Sequence, residues 1–157
     1  MSSHTFPPHA ADAFPQDSLE RISKVVEEVE KKTGTEIKIS IRDLRDSSEA
    51  GLEIKDLALQ EFFKLGVDKT RNRGGVLLFI LYDERKFYVV GDEGVHKHSA
   101  PEGWVDVART LGGHFKKAEF ELGVIAAVRK IGEHVLEALP NESGKATGEI
   151  SNEVVMH

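Results

Sequence analysis

The strongest constraint on the fold is an uninterrupted apolar run, VLLFILY, at residues 76–82. A run this short and without a polar face predicts a β-strand that is buried on both sides. The polar residues 83–85 predict a turn, and residues 86–90 predict a second strand running back. A hairpin brings its two outer ends together, so we expect a candidate site there. Its residues are Asp68, Thr70, Arg73, Asp92 and Glu93.

Composition narrows the classes of partner. The chain has 157 residues, enough for one domain with a sizeable core. Its 21 basic and 27 acidic residues give a net charge of −6. This balance argues against nucleic acid or an anionic membrane surface as the main partner, and it is compatible with binding cations. The absence of cysteine excludes disulfides, a thiolate nucleophile and cysteine-type zinc sites.

Targeting signals are also missing from the sequence pattern. No apolar stretch approaches the roughly 20 residues that a membrane-spanning helix needs. The first residues lack the charged start and apolar centre of a signal peptide. We therefore expect a soluble, cytoplasmic protein without membrane insertion. A chain trimmed of a signal or an anchor would show the same pattern, so that alternative stays open.

Hydrophobic periodicity predicts the element order α-β-α-β-β-α-α. The first helix is expected to have Asp17 at its cap and Gly34 after its end. The strand at residues 36–44 alternates, which predicts a wet face carrying Lys38, Ser40 and Arg42. The order predicts an α/β fold, a three-layer α-β-α sandwich with a small mixed β-sheet. We expect a domain at residues 17–140, between a flexible N-terminal arm (1–16) and a disordered tail (141–157).

The connection between the first two strands places the candidate site. A right-handed crossover through the second helix should make these strands parallel. Glu36, the loop at residues 68–74 and Asp92–Glu93 then share one edge of the sheet. The opposite edge is expected to hold Asp43, Asp46, Asp83 and Glu84.

Several motifs resemble those of the TPM domain family: TGTEIKISI from Thr33, the stretch VDKTRNRGGVLLFILYDERKFYVVGDEGV from Val67, a tryptophan helix and FELGVIAAVRKIGEHVLEALP from Phe120. Thr35 replaces a glycine of the family pattern, and Gly74 stands where asparagine is common. The resemblance implies an α-β-α sandwich that binds divalent cations. It also implies an acid phosphatase activity, which is assigned to a plant thylakoid-lumen relative, whereas most bacterial members have no established activity.

The acidic loop GDEG at residues 91–94 favours a hard cation, because carboxylate and carbonyl oxygens are the ligands of calcium and magnesium. The predicted metal ligands are Glu36, Asp68, Asp92 and Glu93, and the alternative is a solvated acidic turn. Arg73 is a candidate for holding phosphate. His96 and His98 lie two apart and could bind zinc in an extended segment, although an exposed histidine pair is the commoner case.

Hydrolase motifs such as G-x-S-x-G and H-E-x-x-H are absent from the sequence. Two functions therefore compete. The first is a divalent-metal-binding interaction or regulatory module with an unknown protein partner. The second is a metal-dependent acid phosphatase that hydrolyses phosphate monoesters, in which the bound metal would activate water. A scaffold that binds no metal is a third hypothesis.

Overall fold

The computed structural model describes residues 6–70, 73–96, 101–139, 151 and 153–157. The elements in chain order are α1 (Ala10–Ala13), α2 (Gln16–Thr33), β1 (Ile37–Arg42), a 3-10 turn (Ser47–Glu49), α3 (Ile54–Lys64), β2 (Val76–Leu81), β3 (Lys86–Gly91), α4 (Glu93–His96), α5 (Pro101–Phe115), α6 (Phe120–Ala138) and β4 (Val155–Met156).

The predicted α/β sandwich is confirmed. The four-stranded sheet has the order β3-β2-β1-β4. Strand β1 is parallel to β2 and to β4, whereas β2 and β3 are antiparallel. Helices α2, α5 and α6 cover one face, against Ile39 and Leu78. Helix α3 covers the other face, against Leu77 and Phe79.

Strand β2 lies at the centre of this packing. All six of its residues are buried, since each face of the strand meets a helical layer. This explains why the run from Val76 has no polar position. The long apolar segment in the sequence therefore corresponds to burial of the strand on both faces.

The prediction of a wet face on β1 was wrong for two of its three polar residues. Lys38 is 6% exposed and Ser40 is fully buried. Helix α3 covers the face of the sheet on which they lie, and β4 covers the edge. Their alternation with isoleucines is real, but the polar face meets other polar groups of the protein instead of solvent.

The ends of α2 differ in how well the sequence predicts them. Gly34 follows the helix in the left-handed conformation, with φ of 75°, as a helix stop requires. The prediction of Asp17 as the cap was wrong, because the helix begins at Gln16 and Pro15 occupies the cap position.

Part of the segment expected to be a flexible arm packs on the domain. The described residues 6–16 include α1, and Phe14 is buried against Phe115 and Phe120. The Ala10 amide donates a hydrogen bond of 2.7 Å to Asp43 Oδ1. The expected disordered tail likewise contains β4 within its described residues. The boundaries predicted at residues 17 and 140 stay predictions.

Candidate functional site at the acidic edge

Backbone hydrogen bonds join three segments at one edge of the sheet. The Val76 amide donates to the Glu36 carbonyl at 3.0 Å, at the start of β1 and β2. The Asp92 amide donates to Gly75 O, and the Gly94 amide donates to Arg73 O, each at 2.8 Å. The parallel crossover and the hairpin therefore bring the predicted segments together, as their order along the chain requires.

Arg73 and Asp92 form the main ion pair of this edge. Arg73 Nε and Nη2 donate to the two carboxylate oxygens of Asp92 at 2.7 and 2.9 Å. The Asp92 side chain is 5% exposed and that of Arg73 is 44% exposed. Glu93 adds a longer contact to Arg73, at 3.6 Å. The hydrogen bond to Asp92 raises the pKa of Arg73 above its usual value, with smaller contributions from the charges of Asp92, Glu93 and Asp68.

Local backbone geometry holds both partners. Asp92 Oδ1 accepts from the Glu93 amide at 2.8 Å, and Asp92 O accepts from the Val95 amide at 3.0 Å, so Asp92 directly precedes the short helix α4. Arg73 lies in the left-handed region with φ of 54°. A non-glycine residue in this region is strained, and such strain clusters at functional sites.

Asp68 and Thr70 contribute buried oxygens without partners. Among the described residues, neither Asp68 Oδ1 nor Thr70 Oγ1 has a hydrogen-bond partner, although both atoms are buried. Buried polar groups are normally satisfied, so each exception calls for an explanation such as an ion or a water molecule. The Asp68 charge acts on Arg73, which places this carboxylate near the ion pair.

Comparison with known proteins fits this architecture. The sequence profile of the TPM domain matches residues 9–134 of the chain. The chain belongs to the TPM domain family. No curated protein sequence matches it.

Solved structures share the fold. The NMR structure of the BA42 protein from the psychrophilic bacterium Bizionia argentinensis has a TM-score of 0.77 and 20% identity, covering 99% of this chain and 100% of that one. The N-terminal domain of a P. gingivalis protein has a TM-score of 0.66 and 18% identity, covering 83% of this chain and 82% of that one. At these identities the similarity shows that the two proteins share the fold of this TPM domain.

Glu36 engages helix α2 through its side chain. Its carboxyl hydrogen-bonds that of Glu30, and Glu30 Oε2 accepts from the Ile37 amide at 2.8 Å. Burial raises the pKa of Glu30 to about 8, the Ile37 hydrogen bond opposes this shift, and the charge of Glu36 adds to it. Sequence reasoning missed Glu30. Its spacing of four residues from Val26, on the buried stripe of α2, is the signal that could have indicated a buried carboxyl.

The described residues contain no group of three or more histidine, aspartate or glutamate side chains arranged to hold a metal ion. The assignment of Glu36, Asp68, Asp92 and Glu93 as metal ligands therefore stays a prediction. His98 and the side chain of His96 lie outside the described residues, so the zinc prediction does too. The described part of the chain also contains no helix that is both long and apolar enough to cross a membrane.

The acids at the opposite edge are engaged in structural contacts. Asp46 caps the 3-10 turn through a capping box. Glu84 pairs with Arg45 at 2.7 Å. Asp43 Oδ1 accepts from the Ala10 amide at 2.7 Å. These contacts engage the carboxylates of Asp43, Asp46 and Glu84, and Asp83 is exposed.

An apolar groove of about 720 Å³ opens beside the outer strand β3. The exposed edge of the strand, the half-buried Trp104 and Val105 of α5 line it, together with Glu93 of the acidic edge. Trp104 also lies close to Gly91, where an added Cβ would stand 3.4 Å from the indole ring. The groove and the acidic edge thus share a residue.

Proposed function

We propose that this TPM domain is a divalent-cation-binding interaction module, with calcium or magnesium bound at the acidic edge formed by Asp68, Thr70, Arg73, Asp92 and Glu93. The observation that carries the proposal is that Asp68 Oδ1 and Thr70 Oγ1 are buried and have no hydrogen-bond partner among the residues that the structure describes. Hard oxygen ligands of this kind suit either cation.

The carboxylates of this edge support a cation over an anion. Asp68, Asp92 and Glu93 place three carboxylates there, and the guanidinium of Arg73 lies against that of Asp92. Arg73 acts as an internal counter-ion for Asp92. We propose that a bound divalent cation takes over this role and releases the half-exposed guanidinium to solvent, where it remains hydrated.

A role in binding explains the site better than catalysis. In the competing hypothesis of a metal-dependent acid phosphatase, the cation would polarise the phosphoryl group and Arg73 would hold it. In the cation-free protein, Nε and Nη2 of Arg73 donate to Asp92 and are turned away from a phosphate. Glu30, whose raised pKa suits acid–base chemistry, hydrogen-bonds the Ile37 amide within the buried layer. The groove shared with Glu93 offers a surface for a protein partner that cation binding would adjust.

The test is a titration of the metal-free protein with calcium, magnesium and zinc, followed through backbone amide NMR signals. We expect calcium or magnesium to shift the signals of Asp68, Thr70, Arg73 and residues 91–95. Asp68→Asn should weaken binding by about tenfold or more, since it removes a charged ligand. Asp83→Asn, an exposed acid at the opposite edge, is the matched control and should bind as the wild type does.

Two outcomes would overturn parts of this proposal. No localised response to any of the ions would remove the cation. Hydrolysis of p-nitrophenyl phosphate that is lost with chelator and in Asp68→Asn, while the fold persists, would replace the module with the phosphatase.

A further inference from the structure

The outer edge of β1 binds a strand of the chain itself. Ser40 and Ile41 of β1 pair in parallel with Val155 and Met156 of β4. The His157 amide donates to Ile41 O, and the Asp43 amide donates to His157 O, each at 2.8 Å. The short β4 thereby satisfies backbone groups that a bare edge strand would leave open.

Side chains next to this edge also contact the bound segment. Lys38 Nζ donates to the carbonyls of Ser151 and Glu153 at 2.9 and 2.8 Å. Glu61 Oε2, on α3, contacts His157 Nε2 at 2.6 Å and accepts from Ser40 Oγ at 2.5 Å. We use the term β1 slot for Lys38, Ser40 and Glu61 with the backbone edge of β1.

The serine, histidine and glutamate of this cluster do not form a hydrolase triad. Ser40 is completely buried, so its hydroxyl cannot reach a substrate. In a triad the histidine lies between the nucleophile and the acid. Here the carboxylate lies between them, with the shorter contacts, and the serine–histidine distance is 3.3 Å. The geometry is that of a carboxylate that binds an imidazole.

The slot and its occupant differ in burial and in their position relative to the family match. The slot residues lie within the family match at residues 9–134 and, with the occupant in place, are at most 6% exposed. The occupant lies beyond that match, pairs with β1 over two residues, and is half-buried or exposed at its described residues. Removal of the occupant would take away the partners that it gives to the Lys38 ammonium and the Glu61 carboxylate and would leave the main-chain edge of β1 bare. An extended segment of another chain restores these contacts.

We propose that the β1 slot is a peptide-recognition site that takes an extended segment by strand addition, and that residues 151 and 153–157 occupy it as an internal competitor. Strand addition draws affinity from main-chain hydrogen bonds and specificity from alternate side chains. The bound segment shows the pattern: Val154 and Met156 pack on the core, and the imidazole of His157 faces Glu61. The partner is therefore an extended peptide with the pattern apolar-x-apolar-His.

The test measures binding of a fluorescent peptide, SNEVVMH, to the full chain by anisotropy. His157→Pro removes both the amide donor to Ile41 and the imidazole, so it weakens the internal competitor. We expect the variant to bind the peptide at least about tenfold more tightly than the wild type, in which the internal strand competes. A scrambled peptide of the same composition should bind neither protein.

Specificity is tested in the His157→Pro background. Glu61→Gln should weaken peptide binding by about tenfold, because it removes the charged partner of the imidazole. Glu121→Gln, on α6 away from the slot, is the matched control and should have no effect. A peptide with alanine in place of its histidine should lose affinity in the parent and should be insensitive to Glu61→Gln.

A second measurement uses the wild-type chain and guards against misfolding of the variants. Excess peptide should shift the amide signals of Ile41, Asp43 and His157 and release those of residues 153–157. Failure of the peptide to bind His157→Pro, together with unchanged signals in the wild type, would overturn the proposal. The slot shares no residue with the acidic edge, so this result is independent of cation binding.

Discussion

Arg73 and Asp92 are 19 residues apart in sequence and are joined by two hydrogen bonds of 2.7 and 2.9 Å across the base of the β2–β3 hairpin. The buried carboxylate belongs to the residue that directly precedes α4, and the guanidinium reaches it from a residue with positive φ. The pair closes the acidic edge, and under the proposed function its guanidinium competes with the bound cation for Asp92.

Replacement of Arg73 tests that competition. Arg73→Gly removes the guanidinium and relieves the positive φ, so we expect the affinity for calcium to rise by about tenfold. Isothermal titration calorimetry measures it. Arg45→Ala, which removes the corresponding ion pair with Glu84 at the opposite edge, is the control and should leave the affinity unchanged. Weaker binding in Arg73→Gly would show that Arg73 orients Asp92 for the cation instead of competing with it.

Glu30 should make stability depend on pH. Its pKa rises from an ordinary 4.5 to about 8 in the folded protein, chiefly because it is buried. The folded state then binds more protons than the unfolded state between these values, so the free energy of unfolding falls as the pH rises from 4.5 to 8. Glu30→Gln keeps an acceptor for the Ile37 amide and cannot ionise. It should be more stable than the wild type at high pH, by on the order of 2 kcal/mol.

Urea unfolding of both proteins across this pH range measures the effect. The exposed Glu28→Gln on the same helix is the control, and its difference from the wild type should stay flat. A constant difference between Glu30→Gln and the wild type across the range would contradict a shifted Glu30.

Two glycines on neighbouring helices should respond in opposite directions to alanine. A Cβ at Gly132 of α6 would lie 2.6 Å from Val29 Cγ1 on α2, whereas a Cβ at Gly113 of α5 would meet nothing within 4 Å. Gly113→Ala should stabilise the protein by about 0.5–1 kcal/mol through helix propensity. Gly132→Ala should destabilise it by about 1–3 kcal/mol, since overpacking outweighs the same gain. Equal shifts in thermal melting would contradict the close approach of α2 and α6.

Tyr82 should hold the N-terminal residues on the domain. Its hydroxyl donates to the Pro7 carbonyl at 2.7 Å. Tyr82→Phe removes this bond with little change of shape and should cost about 1 kcal/mol. Hydrogen exchange at the amides of residues 10–14 should become faster, while exchange in β2 keeps its protection. Unchanged exchange at these amides would show that packing of Phe14 alone holds the segment.

The sequence predicted those features that depend on local hydrophobic pattern or on the direction in which the chain connects its strands. The apolar run at residues 76–82 has one stable place, the centre of a two-sided sheet. A right-handed crossover and a tight hairpin then bring Glu36, Arg73 and Asp92 to one edge, whatever the details of their side chains. Backbone contacts at the acidic edge followed from these rules.

Side-chain partners could not be predicted in the same way, because they depend on which elements pack together. Glu36 interacts with Glu30, which lies on the buried face of α2. Lys38 and Ser40 alternate like residues of a wet face, but α3 and β4 cover them. Helix α3 supplies Glu61, and Ser151 and Glu153, which precede β4, supply two carbonyls. β4 itself has no local signal, because its strand pairing comes from the edge of β1.

The sequence by itself determined the layers of this TPM domain, the parallel pairing of β1 and β2, and the meeting of three polar segments at one edge, since hydrophobic periodicity and chain handedness are properties of the chain. Only the tertiary structure decided which charges meet. Arg73 with Asp92, Glu30 with Glu36 and His157 with Glu61 are pairs distant in sequence or buried by other elements. Their energies depend on burial and distance, which the folded packing alone sets.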